Sequence, residues 1–202
     1  MRTLGAACAA LALVAGCTAS KLVTQQANPE YAGKPFKSIL VVAVTSDEIV
    51  RRTYEDRMVA RLGQRGRKAV ASYSVVGKRG KVTEAELRQA IEQAGTEGVI
   101  VTRVTGVDRP TTTISGATVT MGYGWGGGLY GYYSATWETA YIPPQQVSGQ
   151  SSTFTETRLF DAKSGNLAWT GVVETKDSSD LDEVLTQYIN LIFGAMESDR
   201  VI

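Results

Sequence analysis

Between residues 36 and 107, three segments of strand character alternate with two segments of helical periodicity. The strand candidates are 36–44, 68–76 and 98–107, and the first is a nearly continuous apolar, β-branched run suited to a strand covered on both faces. Parallel strands need long crossover connections, which helices usually supply. The β-α-β-α-β order therefore predicts a partly parallel sheet with helices packed against it.

The two connecting segments carry helix signals. In the first, Thr45 or Ser46 can cap a helix that opens with acidic residues, which the helix dipole favours. Its apolar positions at helical spacing are Ile49, Val50, Met58, Val59 and Leu62. In the second, Thr83 and Glu86 match a capping box, and Gly95 is placed to end the helix.

The last third of the chain predicts a hairpin and a long helix. Residues 152–162 and 167–175 flank Lys-Ser-Gly-Asn, a strong turn signal, and Asp161 is placed to hydrogen-bond the turn backbone. After Ser179, apolar residues recur at helical spacing up to Met196. Together these patterns predict an α+β or α/β fold, with one mixed β-sheet packed with about three helices.

Residues 122–144, which we call the Gly/aromatic segment, are the most unusual in composition. Six of the ten residues from 122 to 131 are glycine, and seven of the chain's aromatic residues lie between 123 and 141. The pattern predicts a long hairpin insertion whose exposed rings contact a protein or glycan partner. Its candidate contact residues are Tyr123, Trp125, Tyr130, Tyr132, Tyr133 and Trp137. Two alternatives are a flexible tip whose outer rings cover the sheet, and a contact with lipid.

The amino-terminal residues have the features of a secretory signal. Arg2 precedes an apolar stretch of 13 residues, Leu4 to Gly16, that carries no charge. Spanning a bilayer takes about 20 apolar residues, so the stretch fits a cleaved signal peptide, residues 1–16, better than a transmembrane helix. Residues 17–35 are polar and lack a period, which predicts a lipidated amino terminus and flexible tether. A single mixed α/β domain over residues 36–202 would follow.

Residues 14–17, Val-Ala-Gly-Cys, resemble the lipobox of bacterial lipoproteins. The resemblance implies cleavage before Cys17 and attachment of acyl chains to it, which would make the membrane a partner of the chain. Thr18 replaces the aspartate that resembles an inner-membrane retention signal, so we expect the outer membrane, with the domain facing the periplasm. Ordinary secretion with cleavage nearby is the alternative, because Thr18 and Ala19 are also small.

The hairpin TETRLFDAKSGNLAWTGVVET resembles the C-terminal signature of a family of uncharacterised bacterial lipoproteins of unknown function. That family shares a lipobox, a βαβαβ-like front half, a Gly/Tyr/Trp-rich insertion and a hairpin that ends in Trp-x-Gly. The matching positions here are Leu159, Phe160, Asp161, Gly165, Leu167, Trp169 and Gly171. The resemblance covers most of the mature chain. It implies an envelope protein and brings no catalytic residues with it.

Several kinds of chemistry are excluded or unsupported by composition. The chain has no histidine, and its two cysteines lie in the first 17 residues, which excludes Ser–His and Cys–His catalysis and zinc sites built on either residue type. A net charge of +1 argues against nucleic-acid binding. Residues 77–82 lack phosphate-loop spacing. The carboxylate pairs at 47–48, 55–56 and 182–183 lie on predicted helices among other charges, so we expect no catalytic residue, metal or cofactor.

Charge is unevenly distributed along the chain. Residues 47–81 carry ten basic and four acidic side chains, a net charge of +6, and residues 174–200 carry seven acidic and two basic, a net charge of −5. The basic segment would suit anionic lipid headgroups or cell-wall polymers. The alternatives are ordinary ion pairs on a solvated helix, or attraction between the two segments themselves.

These observations lead to three hypotheses. The first is a non-catalytic cell-envelope lipoprotein that binds an envelope protein or glycan through the Gly/aromatic segment. The second is a structural or export-assembly subunit that assembles with copies of itself by pairing exposed strand edges. An enzyme comes third, because no motif recommends one.

Overall fold

A computed structural model describes residues 20–76, 82–108, 128–139, 152–176 and 180–202. Within those ranges, six strands form one mixed sheet in the order β1-β6-β5-β4-β2-β3. The strands are β1 (Ser20–Ala27), β2 (Ser38–Val44), β3 (Lys68–Ala71), β4 (Gly98–Asp108), β5 (Ser152–Asp161) and β6 (Leu167–Lys176). β2 is parallel to β3 and β4, and the other pairs are antiparallel, which confirms the predicted mixed sheet.

Helices cover both faces of the sheet. They are α1 (Glu48–Gln64), α2 (Ser72–Val75), α3 (Glu84–Ala94), α4 (Leu129–Thr139) and α5 (Leu181–Ser198). Side chains of α1 and α5 form one apolar core with the sheet, and side chains of α3 and α4 form a second core on the opposite face. The described ranges thus hold two helices beyond the three predicted: the single turn α2, and α4.

Several local predictions are confirmed. Thr83 and Glu86 form the capping box of α3, and Gly95 ends that helix with a left-handed φ of 59°. At the β5–β6 turn, the Asp161 carboxylate accepts hydrogen bonds from the backbone N–H groups of Lys163 and Ser164, at 3.0 and 2.7 Å. Asp161 therefore stabilises the turn between β5 and β6 in the way that the sequence predicted.

The predicted inward face of α1 is partly wrong. Ile49 is 74% exposed, whereas Arg51 and Glu55 are buried beside Met58 and Leu62. Two opposite charges one turn apart satisfy each other inside the protein, and hydrophobic periodicity cannot anticipate such a pair. The predicted second strand, 68–76, is also shorter, because the chain turns into α2 after Ala71.

The tether prediction for residues 17–35 also needs correction. Ser20–Ala27 is an edge strand that pairs antiparallel with β6 along its length. Its stability comes from backbone hydrogen bonds and from Leu22 and Ala27, which pack against the core, rather than from an apolar pattern. The folded part therefore begins by Ser20 instead of at residue 36, and only Thr18 and Ala19 separate it from Cys17.

Four strands align at one end of the sheet. Ser20 pairs with Thr175, Thr175 with Thr153, and Thr153 with Val107. β1 begins here, β6 and β4 finish here, and β5 starts here. α1 follows the parallel strand β2 and α5 follows β6, so both helices also begin at this end. We call it the Ser20 end, and the β5–β6 turn at Gly165 marks the opposite end.

Candidate functional site

The structure separates the six predicted contact residues. Tyr123 and Trp125 lie outside the described residues, and so does the side chain of Trp137. Tyr132 and Tyr133 are buried, 8% and 1% exposed. Buried rings offer no contact surface, so the prediction is wrong for these two. Tyr130 is half-buried, and the Arg88 guanidinium lies 3.5 Å from the centroid of its ring.

A helix, α4, replaces the predicted hairpin over residues 129–139. Its first N–H group, on Leu129, donates to the Gly165 carbonyl at 2.9 Å, which docks the helix on the β5–β6 turn. Leu129, Tyr132 and Tyr133 then face the core at helical spacing. The glycines that precede the helix at 122–128, together with Gly131 inside it, favoured a loop or hairpin in the sequence analysis, since glycine supplies no apolar position.

Tyr132 caps a charged cluster between α4 and the sheet. Its hydroxyl donates to the Glu156 carboxylate at 2.8 Å, and the same carboxylate pairs with Arg103 at 3.2 Å and Arg158 at 2.8 Å. Both guanidinium groups also lie near the Tyr132 ring, 5.0 and 4.3 Å from its centroid. Glu156 thus accepts from three donors and has little capacity to act as a general base.

A second polar cluster lies under α1. The Glu55 carboxylate accepts from the Ala43 N–H at 2.9 Å, the Ser72 hydroxyl at 2.8 Å and the Tyr73 N–H at 3.1 Å, and it pairs with Arg51 at 3.3 Å. Burial raises the pKa of Glu55, while these donors favour the charged carboxylate and limit the rise. These hydrogen bonds join α1 to β2 and to α2, so the Glu55 cluster stabilises the fold.

A third cluster is a chain of four hydroxyl groups inside the core. Tyr54 bonds Thr102 at 2.7 Å, Thr102 bonds Thr157 at 2.7 Å, and Thr157 bonds Tyr188 at 2.5 Å. The chain links α1 to α5 through strands β4 and β5. Burial raises the pKa of Tyr54 and of Tyr188 well above the ordinary tyrosine value.

These pKa shifts predict alkaline unfolding. Tyr54, Tyr132 and Tyr188 have pKa values above 10.0 in the folded protein, chiefly because of burial, so each keeps its proton where the unfolded chain loses it. Their stabilisation is complete below pH 10 and is lost as the pH rises from there toward the folded pKa values, by about 1.4 kcal/mol per pH unit for each tyrosine. Tyrosinate absorbance against pH should show these residues ionising only as the protein unfolds. Tyr188→Phe should make the alkaline loss less steep, and an unchanged slope would contradict the assignment.

The oppositely charged segments meet between α1 and α5. Arg57 pairs with Asp182, and Arg65 pairs with Glu197 at 3.1 Å. A shallow groove of about 270 Å³ lies between these pairs and is lined partly by Arg61, whose guanidinium lies over the Phe193 ring. Residues 47–81 and 174–200 therefore attract each other through ion pairs between α1 and α5, which was one of the alternatives that the charge pattern left open.

The described residues show no assembled catalytic or metal site. Each carboxylate of the three predicted pairs caps a helix or accepts from a neighbouring side chain or backbone group. No group of three His, Cys, Asp or Glu side chains in this part of the chain could hold a metal ion. Among the helices that the structure describes, none is long and apolar enough to cross a membrane. Cys17, the predicted lipidation site, lies outside the described residues.

Comparisons with known proteins find structural likeness only. No protein-family model and no curated protein matches the sequence. Among solved structures, the PelC dodecamer from Paraburkholderia phytofirmans is 12% identical, with 91% of this chain and 99% of that chain covered and a TM-score of 0.44. Lipoprotein GNA1162 from Neisseria meningitidis is 15% identical, with 80% and 98% covered and a TM-score of 0.42. At such identities no functional residue transfers to this chain.

Proposed function

We propose that this chain is a lipoprotein of the bacterial cell envelope, anchored at Cys17 to the outer membrane and facing the periplasm. The observation that carries the proposal is the Val-Ala-Gly-Cys sequence at residues 14–17, which directly ends the apolar signal. Acylation requires a thiol at this position, and residues 18–202 contain no other cysteine. Two or more acyl chains give stable membrane attachment, which a single chain does not.

We further propose that the protein binds another envelope component, a protein or a glycan, and catalyses no reaction. The carboxylates of Glu55 and Glu156 support this view, because each is surrounded by donors that bind it to neighbouring elements. The Gly/aromatic segment is the proposed contact region. Tyr130 supports that choice, because α4 and Arg88 hold its partly exposed ring in place, and rigid aromatic rings bind at low entropy cost.

Replacing Cys17 should test the anchor. In native cells we expect Cys17→Ser to remove the protein from the outer-membrane fraction, and mass spectrometry of the wild-type product to show acyl groups on Cys17. Cys8→Ser is the matched control, because Cys8 lies in the cleaved signal and its loss should change neither result. An unmodified Cys17 sulfur, or an uncut leader, would refute the lipoprotein assignment.

Self-assembly through strand edges is the second candidate. Among the six strands that the structure describes, β1 and β3 lie at the two edges of the sheet. β1 carries Lys21 and a bulge between Leu22 and Thr24, and β3 has four residues. Charged residues, bulges and short edges all resist pairing with another sheet. These features support the binding protein over assembly by edge pairing.

A further inference from the structure

Exposed apolar side chains are concentrated at one end of the domain. Among the residues that the structure describes, the large hydrophobic side chains with marked exposure are Ile49 at 74%, Val104 at 53%, Val23 at 43% and Leu181 at 42%. All of them lie at or near the Ser20 end. Single exposed apolar residues are ordinary, but four of them at one end of the domain indicate a contact site.

Two of these side chains lie at the same level of the sheet. Val104 pairs with Thr155, Thr155 with Val173, and Val173 with Leu22, the neighbour of Val23. Three strand spacings separate β4 from β1, so this row spans about 14 Å. The row lies two residues inside the first paired residue of β1, Ser20.

The other two side chains begin helices at the same end. Ile49 is the second residue of α1, and Leu181 is the first residue of α5. The two helices run side by side in the same direction, because Arg57 pairs with Asp182 near the start of α5 and Arg65 pairs with Glu197 near its end. The Tyr54 and Tyr188 rings meet between the helices, with centroids 6.0 Å apart. Tyr54 bonds Thr102, which lies two residues from Val104 along β4. The helix starts therefore lie near the exposed row on the sheet.

The short connection to Cys17 identifies what this end faces. Thr18 and Ala19 are the only residues between Cys17 and Ser20. Three residue steps of fully extended chain span at most about 11 Å. Acyl chains on Cys17 would therefore keep the Ser20 end within about 11 Å of the lipid surface. A folded envelope protein is too large to enter the space between this end and the lipid.

Charges of both signs lie together at this end. Lys21 pairs with Glu174 at 2.7 Å, and Arg52 pairs with Glu48 at 2.8 Å. Lys176 also lies close enough to act on Glu174, and the N-cap residues Asp47 and Asp180 add negative charge. The described residues at this end therefore hold no excess of positive charge with which to select anionic headgroups. The surface thus suits the apolar and interfacial part of a bilayer of any headgroup charge.

We propose that the Ser20 end is a lipid-facing surface on which Val23, Ile49, Val104 and Leu181 contact the bilayer. The proposal rests on the proposed function, because acylated Cys17 brings this end to the membrane. The orientation directs the β5–β6 turn away from the membrane.

Site-specific fluorescence on the acylated mature protein tests this orientation. A single cysteine is introduced by Ile49→Cys or Leu181→Cys and labelled with an environment-sensitive dye, since the thioether leaves no other free thiol. Lys163→Cys at the exposed β5–β6 turn is the matched control. In phosphatidylcholine vesicles containing brominated lipid, we expect a blue shift and loss of emission at Ile49 and Leu181 and neither change at Lys163. Adding anionic lipid should leave the pattern unchanged.

Flotation with the vesicles separates the two proposals. Protein that fails to float lacks its anchor and overturns both. Protein that floats while the dyes at Ile49 and Leu181 behave like the dye at Lys163 overturns the lipid-facing surface alone. A blue shift without quenching by brominated lipid means that protein covers these positions, and it also overturns this proposal.

Discussion

Trp169→Ala is expected to lower the free energy of unfolding by about 3–5 kcal/mol, a large share of the stability of a domain this size. Trp169 is fully buried, and its indole N–H donates to the Asp199 carboxylate at 2.8 Å. In the sheet it is paired with Ala27 on one side and Leu159 on the other. Its removal leaves a cavity where β1, β6 and the end of α5 meet. Urea unfolding followed by circular dichroism measures the loss.

Gly171 provides the control for this prediction. A Cβ atom at Gly171 would lie 2.2 Å from Cη2 of Trp169, and the hydrogen bond to Asp199 prevents the ring from turning aside. Gly171→Ala alone should therefore cost about 1–3 kcal/mol by overpacking. In the Trp169→Ala background the added methyl has room, so most of that cost should disappear. In this account, the Trp-x-Gly signature exists because the Trp169 ring occupies the space that a side chain at residue 171 would need. Additive effects of the two substitutions on the free energy of unfolding would contradict it.

Glu55→Ala is expected to cost about 3–5 kcal/mol, because it leaves the buried Arg51 guanidinium with only the more distant and partly exposed Glu48 carboxylate, 3.8 Å away. The side chains of Arg51 and Glu55 are 3% and 0% exposed. The substitution also leaves the N–H groups of Ala43 and Tyr73 without their acceptor. Thermal and urea unfolding of the variant measure the loss.

Two further variants test whether Arg51 is the cause of the Glu55 effect. Glu55→Gln keeps the shape and one acceptor oxygen, and it should cost less than the alanine variant. Replacing both charges at once, Arg51→Met with Glu55→Leu, should recover much of the stability, because no buried charge remains. A double variant as unstable as Glu55→Ala would show that the backbone hydrogen bonds, and not the stranded guanidinium, dominate.

The elements that the sequence predicted well carry local signals. The capping box at Thr83 and the turn at Asp161 depend on residues within four positions of one another. The apolar run of β2 needs both of its faces covered, and every residue of that strand is buried. Local propensity and tertiary structure agree at these places, so pattern analysis succeeds.

The elements that were missed depend on distant partners. β1 has a polar sequence and is ordered by β6, about 150 residues later. α4 is docked through the carbonyl of Gly165, and the buried face of α1 includes an ion pair. For the candidate site, composition located the aromatic residues but could not tell that Tyr132 and Tyr133 belong to the core. Only the tertiary structure distinguishes a contact ring from a core ring.

The pairing of β1 with β6 also constrains the order of events during biogenesis. β1 is the first strand to be synthesised, yet Ser20 pairs with Thr175, 155 positions later. Contacts at such long sequence separation form late, because the intervening chain must first be available and then be closed into a loop. The sheet thus becomes complete only after nearly the whole polypeptide has emerged, and until then the polar composition of β1 protects its unpaired backbone from aggregation.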